Sequence, residues 1–156
     1  MNRMLHGVYL VTDTTIQDRF TNVQLARMAI EAGVQMIQYR NKQGTAREAI
    51  AEIREIAEIT SGTHTTFIVN DRGDLALAGN ADGVHLGQDD LPIPAARAIL
   101  GENIIIGGTS STPEEALQVQ QAGADYVALG HIFETTTKRK GYPPRGLDTL
   151  NKAAAA

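Results

Sequence analysis

Three donor side chains alternate along one short segment of this sequence. Gln38, Arg40 and Lys42 follow the apolar run Val34–Ile37. Residues two apart in a strand share a face, so these donors, two of them cationic, would point the same way. Such a face is costly to bury unless an anion meets it, which predicts an anion site. The alternative is an ordinary solvated strand end.

Two aspartates end neighbouring predicted β-α units. Asp71 follows the apolar run Phe67–Val69, and Asp90 follows Val84–Leu86 after a glycine turn. Each could simply cap the helix that comes next. If neighbouring strands are parallel, however, their carboxylates meet at one edge of the sheet. Two carboxylates with room for water and phosphate suit Mg²⁺, so the sequence predicts either a Mg²⁺ site or two helix caps.

Two further segments have the composition of ligand loops. Residues 135–141 contain three threonines, two lysines and an arginine, a set that suits a diphosphate but also an ordinary exposed loop. Gly107 and Gly108 precede Thr109 and Ser110. We expect this stretch to be the exit of the fifth strand, where glycines let the backbone approach a ligand or form a tight turn.

The four histidines differ in their predicted roles. His131 follows Gly130 at the end of the sixth predicted strand, where it could move a proton near neutral pH. His85 lies within a strand and is predicted to be packed rather than catalytic. His6 and His64 lie near strand starts, away from the site, and are predicted to be structural or exposed.

The composition favours a cytoplasmic protein that acts on small molecules. The chain has 156 residues, 42% of them apolar, a net charge of −4 and no cysteine. There is no global basic field for nucleic acid, and disulfides and thiolate sites are excluded. No apolar run approaches the roughly 20 residues that span a bilayer, and the N-terminus lacks a signal-peptide pattern. A homo-oligomer is compatible with the sequence, which leaves the oligomeric state open.

Strand and helix patterns alternate along the chain. The predicted strands are Gly7–Asp13, Val34–Gln38, Thr66–Val69, Gly83–Leu86, Asn103–Ile106 and Asp125–Leu129. Helical patterns lie between them at Asn22–Ala32, Thr45–Ile59, Asp74–Ala78, Ile93–Leu100 and after the capping sequence Thr112–Glu115.

Six β-α units predict either an open doubly wound sheet or a (β/α)₈ TIM barrel. A barrel takes about 250 residues. The chain is therefore expected to be one domain, residues 1–156, that covers the first six units of a barrel with an incomplete C-terminal end. The final run of four alanines is interpreted as a tag or placeholder rather than as a helix end.

Four motifs together resemble the thiamine phosphate synthase family. They are Gln38–Lys42, Asn70–Arg72, Asp82–Asp90 and Thr135–Lys138, in the family's order and near its spacings over nearly the whole chain. The resemblance implies a TIM barrel that joins hydroxymethylpyrimidine diphosphate to a thiazole phosphate and releases diphosphate. It implies these roles: Gln38, Arg40, Lys42 and Asn70 bind the pyrimidine diphosphate, Asp71 and Asp90 ligate Mg²⁺, and Thr135, Thr137 and Lys138 contact phosphate.

Electrostatics and positioning then account for the expected catalysis. Mg²⁺ with Arg40, Lys42 and Lys138 would neutralise the charge on the leaving diphosphate. The thiazole nitrogen already has a lone pair, so no general base is required.

Three features depart from the family pattern. Thr109, an expected substrate-binding residue, stands where the family usually has serine. The run from His131 to Glu134 resembles the sister family of thiazole tautomerases, in which the histidine is the acid/base, so His131 is a catalytic candidate. The last two units, which bind the thiazole phosphate in the family, are missing.

A synthase is expected, because a tautomerase has no diphosphate to release. The alternatives are the tautomerase and a non-catalytic sensor of phosphate ligands on the same fold.

Overall fold

A computed structural model describes residues 5–135 and 141–155. Six parallel strands form one sheet in the order β1-β2-β3-β4-β5-β6, and helices alternate with them. The strands are β1 Tyr9–Val11, β2 Met36–Tyr39, β3 Thr66–Asn70, β4 Gly83–Leu86, β5 Ile105–Ser110 and β6 Tyr126–Leu129. The helices are α1 Asn22–Glu31, α2 Ala46–Thr60, α3 Gly73–Ala78, α4 Ile93–Leu100, α5 Pro113–Gln121 and α6 Gly146–Ala154. This half-barrel of six β-α units confirms the predicted partial TIM-like fold.

The two faces of the sheet have different compositions. Alternate strand residues such as Ile37, Phe67, Val84 and Ile106 are fully buried and form one apolar core with residues of the helices. The strand residues that alternate with them point to the opposite, inner face and include Gln38, Asn70 and His85. The apolar face therefore packs against the helices, while the inner face contains the polar side chains together with buried apolar residues such as Met36 and Ile68.

Helix α2 shows how the sequence sets these boundaries. Thr45 caps it, because its hydroxyl accepts from the backbone N–H of Glu48 while the Glu48 carboxylate reaches back to Thr45. Ala49, Ile53 and Ile56 are buried on one stripe, as the helical spacing predicts.

The structure corrects the prediction for the fifth strand. Gly107 through Ser110 lie within β5, not in an exit loop. The two glycines are there because of close packing. A Cβ on Gly107 would lie 2.0 Å from Cζ of Tyr126, and one on Gly108 would lie 2.4 Å from Cγ1 of Val119.

The ends of the chain also differ from expectation. Strand β1 is shorter than predicted and ends at Val11, before Thr12 and Asp13. Helix α6 continues through Ala153 and Ala154, so this part of the alanine run is helical. Alanine is the strongest helix former, which explains why it extends the helix.

None of the helices in the described ranges, residues 5–135 and 141–155, has both the length and the apolar character needed to cross a membrane.

Candidate functional site

A cavity of about 490 Å³ lies on the inner face of the sheet, towards the carboxyl ends of the strands. Its lining includes seven residues singled out from the sequence: Gln38, Arg40, Lys42, Asn70, Asp71, Asp90 and Thr109. Parallel strands explain this convergence, because their ends meet at one edge. Gln38, Arg40 and Lys42 all line the cavity, as their spacing predicts, although β2 ends at Tyr39.

Arg40 is held by a residue that the sequence analysis did not single out. Its guanidinium forms an ion pair with Asp13, whose side chain is only 3% exposed. Asp13 also accepts from the backbone N–H of Thr15 at 2.9 Å and from its hydroxyl at 2.6 Å. Burial alone would raise the pKa of Asp13, but the bonds from Thr15 and Arg40 outweigh it and lower that pKa below its ordinary value. Arg40 is therefore fixed at the cavity by a carboxylate that stays ionised.

The two predicted metal-binding aspartates come together. The Asp90 carboxyl is within hydrogen-bonding reach of Asp71, and its Oδ2 accepts from the N–H of Gly87 at 2.7 Å. Burial raises the pKa of Asp90, and the neighbouring Asp71 raises it further. Lys42 forms an ion pair with Asp71 from the open side. A bound cation would offset the repulsion between the two adjacent carboxylates and favour the ionised form of Asp90.

Neither aspartate is the residue that caps the following helix. Helix α3 begins at Gly73 after Arg72, and helix α4 begins at Ile93 after Pro92. The helix-cap alternative is therefore wrong for both Asp71 and Asp90.

The backbone at Asp71 is itself unusual. Its φ is 62°, in the left-handed region that few residues other than glycine adopt. This conformation follows β3 directly and carries the carboxyl of Asp71 towards the cavity, which Asp71 lines.

The donor set fits Mg²⁺ bound through water and phosphate. Within residues 5–135 and 141–155, no group of three or more acidic, histidine or cysteine side chains is arranged to hold a metal ion. The Asp71 and Asp90 pair could supply two oxygen ligands, and Mg²⁺ usually keeps several waters or substrate phosphates as the others.

A chain of hydrogen bonds crosses the inner face beside the cavity. Nε2 of Gln38 donates to Oη of Tyr9 at 2.7 Å, and Oη of Tyr9 lies 2.8 Å from Oη of Tyr126. Oη of Tyr126 lies 3.0 Å from Nδ1 of His85, and Nε2 of His85 lies 2.9 Å from Oγ1 of Thr109. We call these five residues the tyrosine–histidine relay.

Burial shapes the ionisation of the relay. It lowers the pKa of His85 to about 4 and raises the pKa of Tyr9 and Tyr126. Near neutral pH, all three therefore remain uncharged. His85 is packed, as predicted, but both of its ring nitrogens have partners and it also lines the cavity.

Several predicted residues lie elsewhere. His131 is not among the cavity-lining residues of the described chain; its ring stacks on Tyr142 with 5.4 Å between centroids. Its Nδ1 is buried and has no hydrogen-bond partner in the part of the chain that the structure describes. Thr135 is exposed, and Thr137 and Lys138 lie outside the described residues. His6 and His64 are exposed, as predicted.

Comparison with known families identifies the chain. A family model described as thiamine monophosphate synthase matches residues 8–156. The chain belongs to the thiamine monophosphate synthase family. This membership confirms the resemblance drawn from the four sequence motifs.

Curated relatives agree with the family assignment. A thiamine-phosphate synthase from Salinibacter ruber is 42% identical over 149 residues, which cover 96% of this chain and 66% of the relative. One from Methanosarcina barkeri is 48% identical over 131 residues, which cover 84% of this chain and 59% of the relative. The chain thus spans about three-fifths to two-thirds of the length of these family members.

A solved structure supports the fold of the family. Thiamine phosphate pyrophosphorylase from Pyrococcus furiosus is similar at a TM-score of 0.84 and 36% identity. The similarity covers 95% of this chain and 69% of that one.

Proposed function

We propose that this chain carries the pyrimidine diphosphate site of a thiamine phosphate synthase. In the proposed reaction, 4-amino-2-methyl-5-hydroxymethylpyrimidine diphosphate is coupled to a thiazole phosphate and diphosphate is released. The observation that carries the proposal is the convergence of Arg40 and Lys42 with the Asp71 and Asp90 pair on one cavity. Two cations beside two carboxylates suit a diphosphate bound together with a divalent cation.

The bond changes explain why charge matters most. The bond between the pyrimidine methylene carbon and the diphosphate oxygen breaks, and the electron pair leaves with diphosphate. The thiazole nitrogen uses its lone pair to form the new C–N bond. Mg²⁺, held by Asp71 and Asp90, would supply positive charge to the diphosphate oxygens. Arg40, kept in place by Asp13, and Lys42 stabilise the same negative charge, which is greatest as the leaving group departs.

The remaining roles follow from the family motifs. Thr135, Thr137 and Lys138 are assigned to phosphate contacts, with Lys138 as a third cation for the leaving group. His131 is not needed as a base in coupling. The proposed enzyme acts in the cytoplasm on small molecules.

One incubation tests the proposal. The full-length protein is mixed with both substrates and Mg²⁺, and thiamine phosphate is measured by chromatography. Coupling that stops on chelation of Mg²⁺ is expected. Proton exchange on a thiazole carboxylate phosphate without coupling would instead establish a tautomerase, and Mg²⁺-dependent binding of both substrates without turnover would establish a sensor.

A further inference from the structure

The hydrogen atoms of the relay can be counted from one end to the other. The amide of Gln38 donates through Nε2, so Oη of Tyr9 accepts, and the Tyr9 proton has a partner within the relay only when Tyr9 donates to Tyr126. In this arrangement the single proton of Tyr126 is donated to Nδ1 of His85. A histidine that accepts at Nδ1 in its neutral form carries its proton on Nε2. In the same arrangement that N–H donates to Oγ1 of Thr109, which lies 2.9 Å away.

The same count gives the groups that remain for a ligand. Gln38 keeps its amide oxygen as an acceptor, and Thr109 keeps its hydroxyl proton as a donor. Both residues line the cavity. In this arrangement the two ends of the relay have opposite hydrogen-bonding character, which depends on the three residues between them.

The sheet register makes the relay continuous. Tyr126 pairs with Gly107 in β5, and Gly107 pairs with His85 in β4. Because Gly107 has no side chain, the Tyr126 ring reaches across β5 and stacks on His85, with 5.5 Å between ring centroids. Tyr9 meets the same ring edge to face at 5.8 Å.

We propose that the relay is a specificity device: it holds Gln38 as an acceptor and Thr109 as a donor, and so selects a 4-aminopyrimidine over a 4-oxopyrimidine. This inference rests on the proposed function. An aminopyrimidine has an amino donor next to a ring-nitrogen acceptor, which complements the preset pair. The 4-oxo analogue has a carbonyl acceptor next to a ring N–H, the reverse pattern. Binding the 4-oxo analogue would leave the Gln38 oxygen and the Thr109 hydroxyl without partners, and a buried site rejects such a ligand.

Tyr126 is a positioning residue in this proposal, because it acts through its neighbours. Tyr126→Phe removes the hydroxyl that takes the Tyr9 proton. Tyr9 can then donate to the Gln38 amide oxygen. The Gln38 amide can rotate by about 180° and present its N–H groups to the cavity. Tyr39→Phe is the matched control: Tyr39 is equally aromatic and is buried on the helical side of the sheet, where Oη donates to Glu52 at 2.7 Å.

The protonation pattern can be tested without any substrate. Two-bond ¹H–¹⁵N spectra of labelled protein report the tautomer of each of the four histidines. His85 is assigned by the signal lost in His85→Asn. The Nε2-protonated form is expected in the wild type, with an altered His85 signal in Tyr126→Phe and an unaltered one in Tyr39→Phe. An Nδ1-protonated His85 in the wild type would overturn the proposal.

Binding then tests selectivity. Calorimetry with Mg²⁺ compares 4-amino- and 4-oxo-pyrimidine diphosphates, with inorganic diphosphate as reference. The wild type and Tyr39→Phe are expected to prefer the amino compound by about tenfold or more, whereas Tyr126→Phe loses most of this preference. Inorganic diphosphate should bind equally to all three. The role of the relay is overturned if Tyr126→Phe keeps the wild-type preference for the amino compound. It is also overturned if Tyr126→Phe loses as much affinity for inorganic diphosphate as for the amino compound.

Failure of the proposed function has a different signature. The wild type would bind neither pyrimidine diphosphate better than inorganic diphosphate, whatever the tautomer of His85. That outcome would mean that the cavity does not bind the pyrimidine. A wrong polarity of the relay would be detected by the spectra, without any ligand.

Discussion

Oη of Tyr126 lies 3.0 Å from Nδ1 of His85, although a whole strand separates the two residues in the sheet. Tyr126 also lies 2.8 Å from Oη of Tyr9, which belongs to the strand at the opposite edge. The first and last strands of the half-barrel therefore meet across its interior through two tyrosines. One ring on β6 links β1 to β4 and passes over Gly107.

Gly107→Ala is expected to displace the Tyr126 ring. A Cβ there would lie 2.0 Å from Cζ and 2.4 Å from Oη of Tyr126, so the ring has to move away. We expect a loss of about 1–3 kcal/mol in the free energy of unfolding, measured in urea, and a changed His85 signal in ¹⁵N spectra. Gly141→Ala is the control, because no atom of the residues that the structure describes lies within 4 Å of its added Cβ. Equal stability of the two variants would contradict the proposed packing.

Local rules predicted the polar rim of the site from the sequence. The spacing of Gln38, Arg40 and Lys42 predicted that all three line one cavity, although β2 ends at Tyr39. Parallel strands brought Asp71 and Asp90 together. Both inferences use only positions near a strand end, where side-chain direction follows from residue number. The apolar stripe of α2 was predictable for the same reason.

The relay was not predictable because it depends on distant packing. Tyr9 and Tyr126 are separated by 117 residues, and their contact requires the curvature of the whole sheet. Gly107 looked like a loop glycine, since nothing nearby in the sequence shows that an aromatic ring covers it. Asp13 was visible as the polar end of the first strand, but its partner Arg40 lies in the next unit.

Asp13→Asn is expected to release Arg40 from its position. The neutral amide cannot hold the guanidinium by charge, and the side chain it replaces is only 3% exposed. We expect a destabilisation of about 1–3 kcal/mol and roughly two- to tenfold weaker binding of inorganic diphosphate by calorimetry. Asp74→Asn breaks the exposed pair with Arg72 and should change stability by less than about 1 kcal/mol. Unchanged diphosphate affinity in Asp13→Asn would show that Asp13 does not position Arg40 for diphosphate binding.

Asp71→Asn and Asp90→Asn should each weaken Mg²⁺-dependent binding of diphosphate. Asparagine tolerates the left-handed backbone of Asp71, and at position 90 it can still accept the N–H of Gly87. The fold should therefore persist while a charged oxygen ligand is lost. We expect about 10- to 100-fold weaker binding with Mg²⁺, measured by calorimetry. Asp74→Asn again serves as the charge-matched control. Full Mg²⁺ dependence in both site variants would rule out this pair as the metal site.

His85 should make the protein less stable in mild acid. Its pKa is lowered from 6.5 to about 4 by burial, so the unfolded chain binds the proton more tightly than the folded one. Stability is therefore complete above about pH 6.5 and falls as the pH drops towards 4, by about 1.4 kcal/mol per pH unit from this group. Between pH 7 and pH 5 this contribution amounts to about 2 kcal/mol.

His85→Gln should remove this contribution. Urea unfolding at pH 7 and pH 5 is expected to show a drop for the variant that is about 2 kcal/mol smaller than for the wild type. His64→Gln, which replaces an exposed histidine, should keep the wild-type drop. Parallel pH dependence in the wild type and His85→Gln would mean that His85 takes up its proton as readily in the folded protein as in the unfolded chain. The imidazole would then not be held neutral between Tyr126 and Thr109.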